Sequence, residues 1–491
     1  MIQSEPQSTK RRMNVLHMDV IGMKKELAAR NITSKEITRL FIEHLQHVNP
    51  KVNCLVEDRF SEAMKEAEEA DRLIQSGNAL GRLAGIPISI KESFHVKGMK
   101  TTGGLKHRSD IVASTDARVV EILRSEGAII LGKTNTPTLC FCQETDNKMY
   151  GTTNNPWDID RTAGGSSGGE GALVALGGAA AGIGSDIGGS IRFPAHFNGV
   201  IGFKSGNERV VDEGSYPEVV HRLQKRMLGI GPMVKSVRDA RFIYKMIASH
   251  DYDTRVEMAD YVIQILPKNA YILSGIIENI TQKVIDFLNT KLQVATQIPP
   301  FFEESSLLWQ EIMSIDGGKS TADAAGFTGI GNVLKNYLKE KLTGKSDYHH
   351  YMTWALIGAS LFKPGRMRAA EIHRLIEEGD RQINDYFDRR ILILPVYHRT
   401  APHHGDLYSE IFSIKKTFKK YMPFVAYANV WGLPSLTVPI GKDEDGLPIG
   451  IQLISNNGNE EALFQLGELI EREFGGYERC VLHDKEINDI T

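Results

Sequence analysis

Apolar positions recur at helical spacing in some parts of this chain and form short unbroken runs in others. Thr33-Ser34-Lys35-Glu36 reads as a capping-box start, and Ile37, Leu40, Phe41 and Leu45 follow at helical intervals, so two helices are predicted over 18–48. A third, amphipathic helix is predicted over 59–76, and 116–126 is helical as well. The run Ile86–Ile90 is short, apolar and rich in branched side chains, which predicts a buried strand with Lys91 emerging at its carboxyl end. Ala128–Leu131 predicts a second such strand. Residues 206–226 are charged and loop-like, while 236–249 and 275–291 show helical periodicity. Residues 300–388 read as helix broken at Gly317-Gly318, at Gly326, Gly329 and Gly331, and at Pro364-Gly365. Strands return at Ile391–Val396, Ser435–Ile440 and Ile449–Ile454, and Glu460–Glu473 closes the pattern as a helix. Alternating helices and buried strands predict an α/β fold. No repeat or linker divides the chain, so one domain is expected over 1–491. Within it, 1–15 is expected to be a flexible start and 206–388 a helical elaboration shaping a pocket.

Composition narrows the function classes. Hydrophobic residues make up 41% and charged residues 24% of the 491 positions, values ordinary for a globular protein with a large core. A net charge of −3 gives no footprint for nucleic acid or an anionic membrane surface. Four scattered cysteines (Cys54, Cys140, Cys142, Cys480) do not make a disulfide framework, which fits a reducing, cytoplasmic setting. Residues 1–13 are polar, and the weakly polar run Gly171–Ser185 is shorter than the ~20 residues that span a bilayer, so no integral membrane segment is expected.

Candidate chemistry concentrates in 164–202, where 13 of 39 positions are glycine. Glycine weakens regular structure by about 0.5–1 kcal/mol per site, so this density suits backbone that must approach a ligand or aim several N–H groups at one point. Ser166 follows Gly164-Gly165 and Ser190 follows Gly188-Gly189, at opposite ends of a small apolar unit expected to hold a buried helix and a short strand.

The strings GGSSGG and SDIGGSIRFPA, with a strand-end lysine upstream in GIPISIKES, resemble the amidase signature family of serine hydrolases. GGEGAL and DIGGSIRFP resemble most its fatty acid amide hydrolase branch. The resemblance spans about residues 30–470 and is specific over 85–95, 128–137 and 151–203. It implies a large mixed β-sheet wrapped in helices. It also implies a Ser–cisSer–Lys triad of Ser190, Ser166 and Lys91, supported by an Asp186–Arg192 ion pair, with Cys140 and Phe141 on the acyl side of the substrate. The expected partner is a small-molecule amide, with neither nucleic acid nor cofactor nor metal, and a homodimer is an arrangement common in the family. The chain departs from the family in three places: Gly202-Phe-Lys-Ser-Gly206 stands where G-x-K-P-T is usual, Lys91-Glu92 replaces Lys-Asp, and Asn198 stands where many relatives carry cysteine.

Chemistry at such a trio requires the lysine to be neutral, so its pKa must fall from ~10.4 towards ~7–8, as burial would cause. Neutral Lys91 would draw a proton through Ser166 from Ser190, which attacks the amide carbonyl. Successive N–H groups of Ile187, Gly188, Gly189 and Ser190 form an expected nest for the oxyanion. The readings weighed are an amidohydrolase, a glutaminase-type subunit of a tRNA-dependent amidotransferase, and an inactive scaffold.

Other motifs have simpler explanations. Gly127–Thr134 fits the Walker A pattern, but its middle is itself the predicted strand. Gly165–Gly169 fits G-x-S-x-G around Ser167, yet the polar NNPWDIDRTA before it does not read as the strand that motif needs. Ser413–Lys416 fits S-x-x-K without its companion motifs. Cys140 and Cys142 lack further ligands at metal spacing. His196 reads as a helix-surface histidine, with a base role for Ser190 as the sharper alternative; His398, His403 and His404 read as solvated or hydrogen-bonded loop residues.

Overall fold

The computed structural model describes residues 14–78, 81–249, 255–268, 270–412 and 418–484. Its centre is an 11-stranded sheet. From one edge the strands run Leu55–Asp58, Ile129–Thr134, Pro87–Lys91, Ala181–Asp186, Gly229–Val234 and Ile201–Lys204. They continue with Ser435–Lys442, Pro448–Ile454, Arg390–Pro395, Val262–Ile265 and Gln293–Thr296. Pro87–Lys91 pairs in parallel with both neighbours, and Val262–Ile265 does the same at the other end. Five successive antiparallel pairings lie between these two parallel groups, which therefore point in opposite directions. The sheet is thus mixed, as expected.

Every residue of Pro87–Lys91, Ile129–Thr134 and Gly229–Val234 is buried, so both faces of the sheet are covered there. Helices Gly168–Ala175 and Arg192–Asn198 pack on the middle of the sheet and on each other, as do Val237–Ile247 and Glu460–Phe474. The helix Ser34–Val52 starts where the capping box predicts: Thr33 Oγ1 accepts from the Glu36 N–H at 3.1 Å. No helix among the described residues is long and apolar enough to cross a membrane.

Several expectations are corrected. NNPWDIDRTA contains a small antiparallel ribbon, Asn154–Asn155 with Asp158–Thr162, held by backbone pairing rather than apolar alternation. Residues 206–226 include a short helix, Arg222–Lys225. The break at Gly326 and Gly329 falls where expected, but Gly331 lies inside the helix Ile330–Thr343, which ends at Gly344, whose φ of +65° a side chain would resist. Residues 14–17 are already helical, with Val15 and Leu16 buried, so the expected flexible start does not extend to them; residues 1–13 lie outside the described residues, as does Ser413–Lys416.

Candidate active site

Three parallel strands bring the sequence-predicted site residues together at their carboxyl ends. Lys91 is the last residue of its strand and pairs in register with Thr134, while the third strand ends at Asp186, four residues before Ser190. Lys91 is wholly buried, and its Nζ lies 2.7 Å from Ser166 Oγ and 3.0 Å from Ser185 Oγ. Burial pushes the Lys91 pKa down, and the neighbouring Cys140, Asp186 and Glu170 offset only part of that.

Ser166 follows a cis Gly165–Ser166 peptide, and its carbonyl accepts from Thr136 Oγ1 at 3.0 Å. Position 165 has no space for a side chain, since a Cβ there would stand 2.8 Å from the Cys142 carbonyl oxygen. Ser190 sits in the turn after Asp186, only 5% exposed, and its carbonyl accepts from the Ser167 N–H at 3.0 Å. The turn needs glycine at 189, where φ is +94° and a Cβ would stand 2.6 Å from the Phe193 ring.

The turn is fixed from below by one carboxylate. Asp186 Oδ1 accepts from the Gly189 N–H at 2.8 Å and Oδ2 from the Ile191 N–H at 3.1 Å. Arg192 meets both oxygens at 3.0 Å, and Asn429 Nδ2 adds a bond at 2.9 Å. Burial alone would raise the Asp186 carboxyl, but the Arg192 guanidinium overrides it and holds the group well below the usual carboxylate range. Arg192 also donates to Gln452 Oε1 at 3.1 Å and Asn429 Oδ1 at 2.6 Å. The Gly189 N–H, one of the four expected in the nest, is therefore engaged by Asp186. Trp309 Nε1 donates to the Ile187 carbonyl at 2.7 Å and orients the turn from above.

A cavity of about 130 Å³ opens onto Ser166, Ser185 and Ser190 together with Cys140, Phe141, Ile187 and Gly188. Tyr216, Trp309 and Met313, from 206–388, line its far wall. A second cavity, about 180 Å³ and strongly apolar, shares Phe141, Gln143, Trp309 and Met313 with it and runs along the helix His350–Leu361. Thr136 Oγ1 lies 3.3 Å from the Cys140 thiol.

The structure also disposes of the competing motifs. Gly132–Thr134 lies inside the strand, and buried Lys133 donates to Thr101 Oγ1 at 2.9 Å, so no phosphate loop forms. Ser167 opens the helix Gly168–Ala175 with its hydroxyl on the Ser185 carbonyl at 3.3 Å. His196 is not on a helix surface: it is fully buried, Nδ1 accepts from the Gly450 N–H at 2.8 Å, and Nε2 contacts the Arg399 carbonyl at 3.0 Å. Burial pushes its pKa down to about 4. His398 stacks on Tyr421 and meets Glu410. Glu92 accepts from the Thr102 hydroxyl at 2.8 Å and the Gly103 N–H at 3.0 Å, so it holds a loop rather than entering the cavity.

Sequence reasoning missed Ser185, Glu170, Asn429 and Gln452. Strand alternation could have found Ser185, on a strand beside that of Lys91; Asn429 and Gln452 lie more than two hundred positions from Arg192 and carry no local motif. Glu170 is fully buried, accepts from Ser89 Oγ at 2.5 Å and Thr134 Oγ1 at 2.9 Å, and burial pushes its pKa up to about 8.

Comparison with known proteins identifies the family. The amidase family model matches residues 36–271 and 293–464. Fatty-acid amide hydrolase 2-B of Danio rerio is 31% identical over 94% of this chain and 90% of its own length, and human fatty-acid amide hydrolase 2 shows the same identity and coverage. A glutamyl-tRNA(Gln) amidotransferase subunit from Cyanothece sp. is 30% identical over 93% of this chain and 98% of its own. Among solved structures, an amidase superposes with a TM-score of 0.79 at 26% identity, covering 93% of this chain and all of that one. A fatty acid amide hydrolase gives the same TM-score at 22% identity, covering 94% of this chain and 86% of its own, a likeness of fold. The chain belongs to the amidase family and is an amide-hydrolysing enzyme.

Proposed function

We propose that the protein hydrolyses amides of apolar carboxylic acids, fatty or aryl, through an acyl-enzyme on Ser190. The observation that carries this reading is the 2.7 Å contact between buried Lys91 Nζ and Ser166 Oγ on the cavity that Ser190 also lines. Lowering the Lys91 pKa by burial increases the share of the lysine that carries a free lone pair. It takes the Ser166 proton as Ser166 takes that of Ser190, and Ser190 Oγ attacks the carbonyl carbon. The N–H groups of Ile187, Gly188 and Ser190 receive the oxyanion, each such donor being worth about 3–4 kcal/mol. The proton then returns through Ser166 to the leaving amine, and water attacks the ester to release the acid and regenerate Ser190. Asp186 and Arg192 touch no substrate; they hold the turn so that the donors are aimed before the charge develops.

The apolar acyl preference is supported by Phe141, Trp309 and Met313 beside the serines and by the second apolar cavity beyond them. The test pairs a fluorophosphonate probe with mass mapping and a panel of amides of graded acyl length, glutamine included. An adduct on Ser190, its loss in Ser190→Ala, and a rate that climbs with acyl length support the reading. Turnover of glutamine alone would instead favour a glutaminase subunit of an amidotransferase, and no adduct an inactive scaffold.

A further inference from the structure

The second parallel group has an opening of its own. Val262–Ile265, Gln293–Thr296 and Arg390–Pro395 end at Ile265, Thr296 and Pro395, and all three residues border a cavity of about 250 Å³. From Val262–Ile265 the chain leaves through the helix Gly275–Asn289 to the strand on one side, while Arg390–Pro395 lies on the other. Crevices at such divergences, outside the carboxyl ends of parallel strands, are where open α/β sheets take ligands.

The lining defines the chemistry. Ile265, Ile393 and Phe424 make an apolar floor. Tyr271 stands edge-on to Phe424 with ring centroids 5.0 Å apart, and its hydroxyl is shielded from water with no hydrogen-bond partner among the described residues. A shielded hydroxyl without a partner carries a desolvation cost that an incoming acceptor relieves. Lys268 and Glu278 also border it, with opposite charges. A dry cavity of about 150 Å³ admits benzene, so this one has room for a phenyl ring with a short chain.

This cavity is also wired to the nucleophile turn. The carbonyls of Phe424 and Pro395 both accept from Gln452 Nε2, at 2.8 and 3.0 Å. Gln452 Oε1 in turn receives Arg192, and Arg192 clamps the carboxylate that holds Gly189 beside Ser190. We infer that this cavity is a second small-molecule site, for an uncharged apolar compound bearing a carbonyl acceptor, and that its occupancy changes amide turnover through Gln452 and Arg192. The effect on turnover rests on the reading of Ser190 as nucleophile; the binding itself does not.

The probe is 4-phenylbutan-2-one, titrated calorimetrically into the full chain. One saturable component is expected that Thr281→Trp, which fills the cavity from the helix, abolishes. Tyr271→Phe should weaken that component about fivefold, the loss of one hydrogen bond. The same ketone should change amide turnover at least about twofold in the parent chain. It should not do so in Thr281→Trp, whereas simple competition at the serine would inhibit both alike. Gln452→Met should keep the binding and lose the response. Equal binding in parent, Thr281→Trp and Tyr271→Phe overturns the site, and binding with an unaltered rate overturns the coupling. Undiminished activity in Ser190→Ala would instead refute the nucleophile assignment and leave the binding result standing.

Discussion

Replacing Arg192 by methionine tests the proposal that one buried ion pair holds the catalytic turn. Arg192 and Asp186 are both 0% exposed, and the guanidinium makes four side-chain bonds: two to Asp186, one to Gln452 and one to Asn429. Methionine fills similar space but leaves a buried carboxylate without its cation, which costs about 3–5 kcal/mol. That is a large share of the ~5–15 kcal/mol by which folded proteins typically exceed their unfolded chains, and should show as a clear fall in the urea midpoint. The pH dependence gives a sharper sign. In the parent chain the Asp186 pKa lies below its unfolded value, so the pair's contribution is present above about pH 4 and is lost only as the medium becomes more acidic. Without Arg192, burial, the largest influence on this carboxyl, is expected to outweigh Lys204 and Asn429 and raise the Asp186 pKa above the unfolded value. The variant then binds a proton on folding and gains stability as pH falls from 8 towards 5. Urea unfolding followed by tryptophan fluorescence at several pH values reads this directly. Arg192→Met should be weakest at pH 8, and Asp186→Asn combined with Arg192→Met should recover much of the loss. A single variant as stable as the parent, or one less stable at pH 5 than at pH 8, would refute the reasoning.

Glu170→Gln should fold at neutral pH, because burial keeps that carboxyl protonated up to about pH 8. With its folded pKa raised, Glu170 makes the parent lose stability between about pH 4.5 and 8, and urea titrations of the variant should show a smaller fall across that window. Ser185→Ala removes one of the two hydroxyls against Lys91 Nζ and should lower kcat/KM about fivefold, with little change in unfolding. Trp309→Ala frees the Ile187 carbonyl and enlarges the acyl side, so longer acyl amides should gain relative to short ones in a kcat/KM panel.

Much of the site was legible because its residues lie in short strings whose local physics is unusual. Gly165 and Gly189 are needed where no Cβ fits, and a buried strand ending in lysine is conspicuous in any chain. The supports were hidden for the opposite reason. Asn429 and Gln452 are ordinary polar residues on a distant helix and strand, and only folding brings them to Arg192. The strands show the same division. Ile86–Ile90 and Ile449–Ile454 announce themselves as branched apolar runs. Gly229–Val234 carries two glycines and a proline, while Val262–Ile265 and Gln293–Thr296 are four residues each. Their positions come from pairing with neighbours far along the chain, which no local pattern encodes. His196 misled because three residues after a phenylalanine on a short helix look peripheral, yet that helix lies between the sheet and the Arg399 loop with every residue buried.

The central claim is that an uncharged Lys91 draws the proton. The most direct measurement is the pH profile of fluorophosphonate labelling at Ser190, in the parent chain and in Lys91→Met. Burial lowers the Lys91 pKa, so the parent rate should rise as pH climbs through that lowered value and level off below the ordinary lysine value near 10.5. Lys91→Met should be slower by about 10²–10⁴-fold, with that rise gone. A parent rate that keeps climbing to pH 10.5, or a Lys91→Met chain that labels as fast as the parent, would contradict the account.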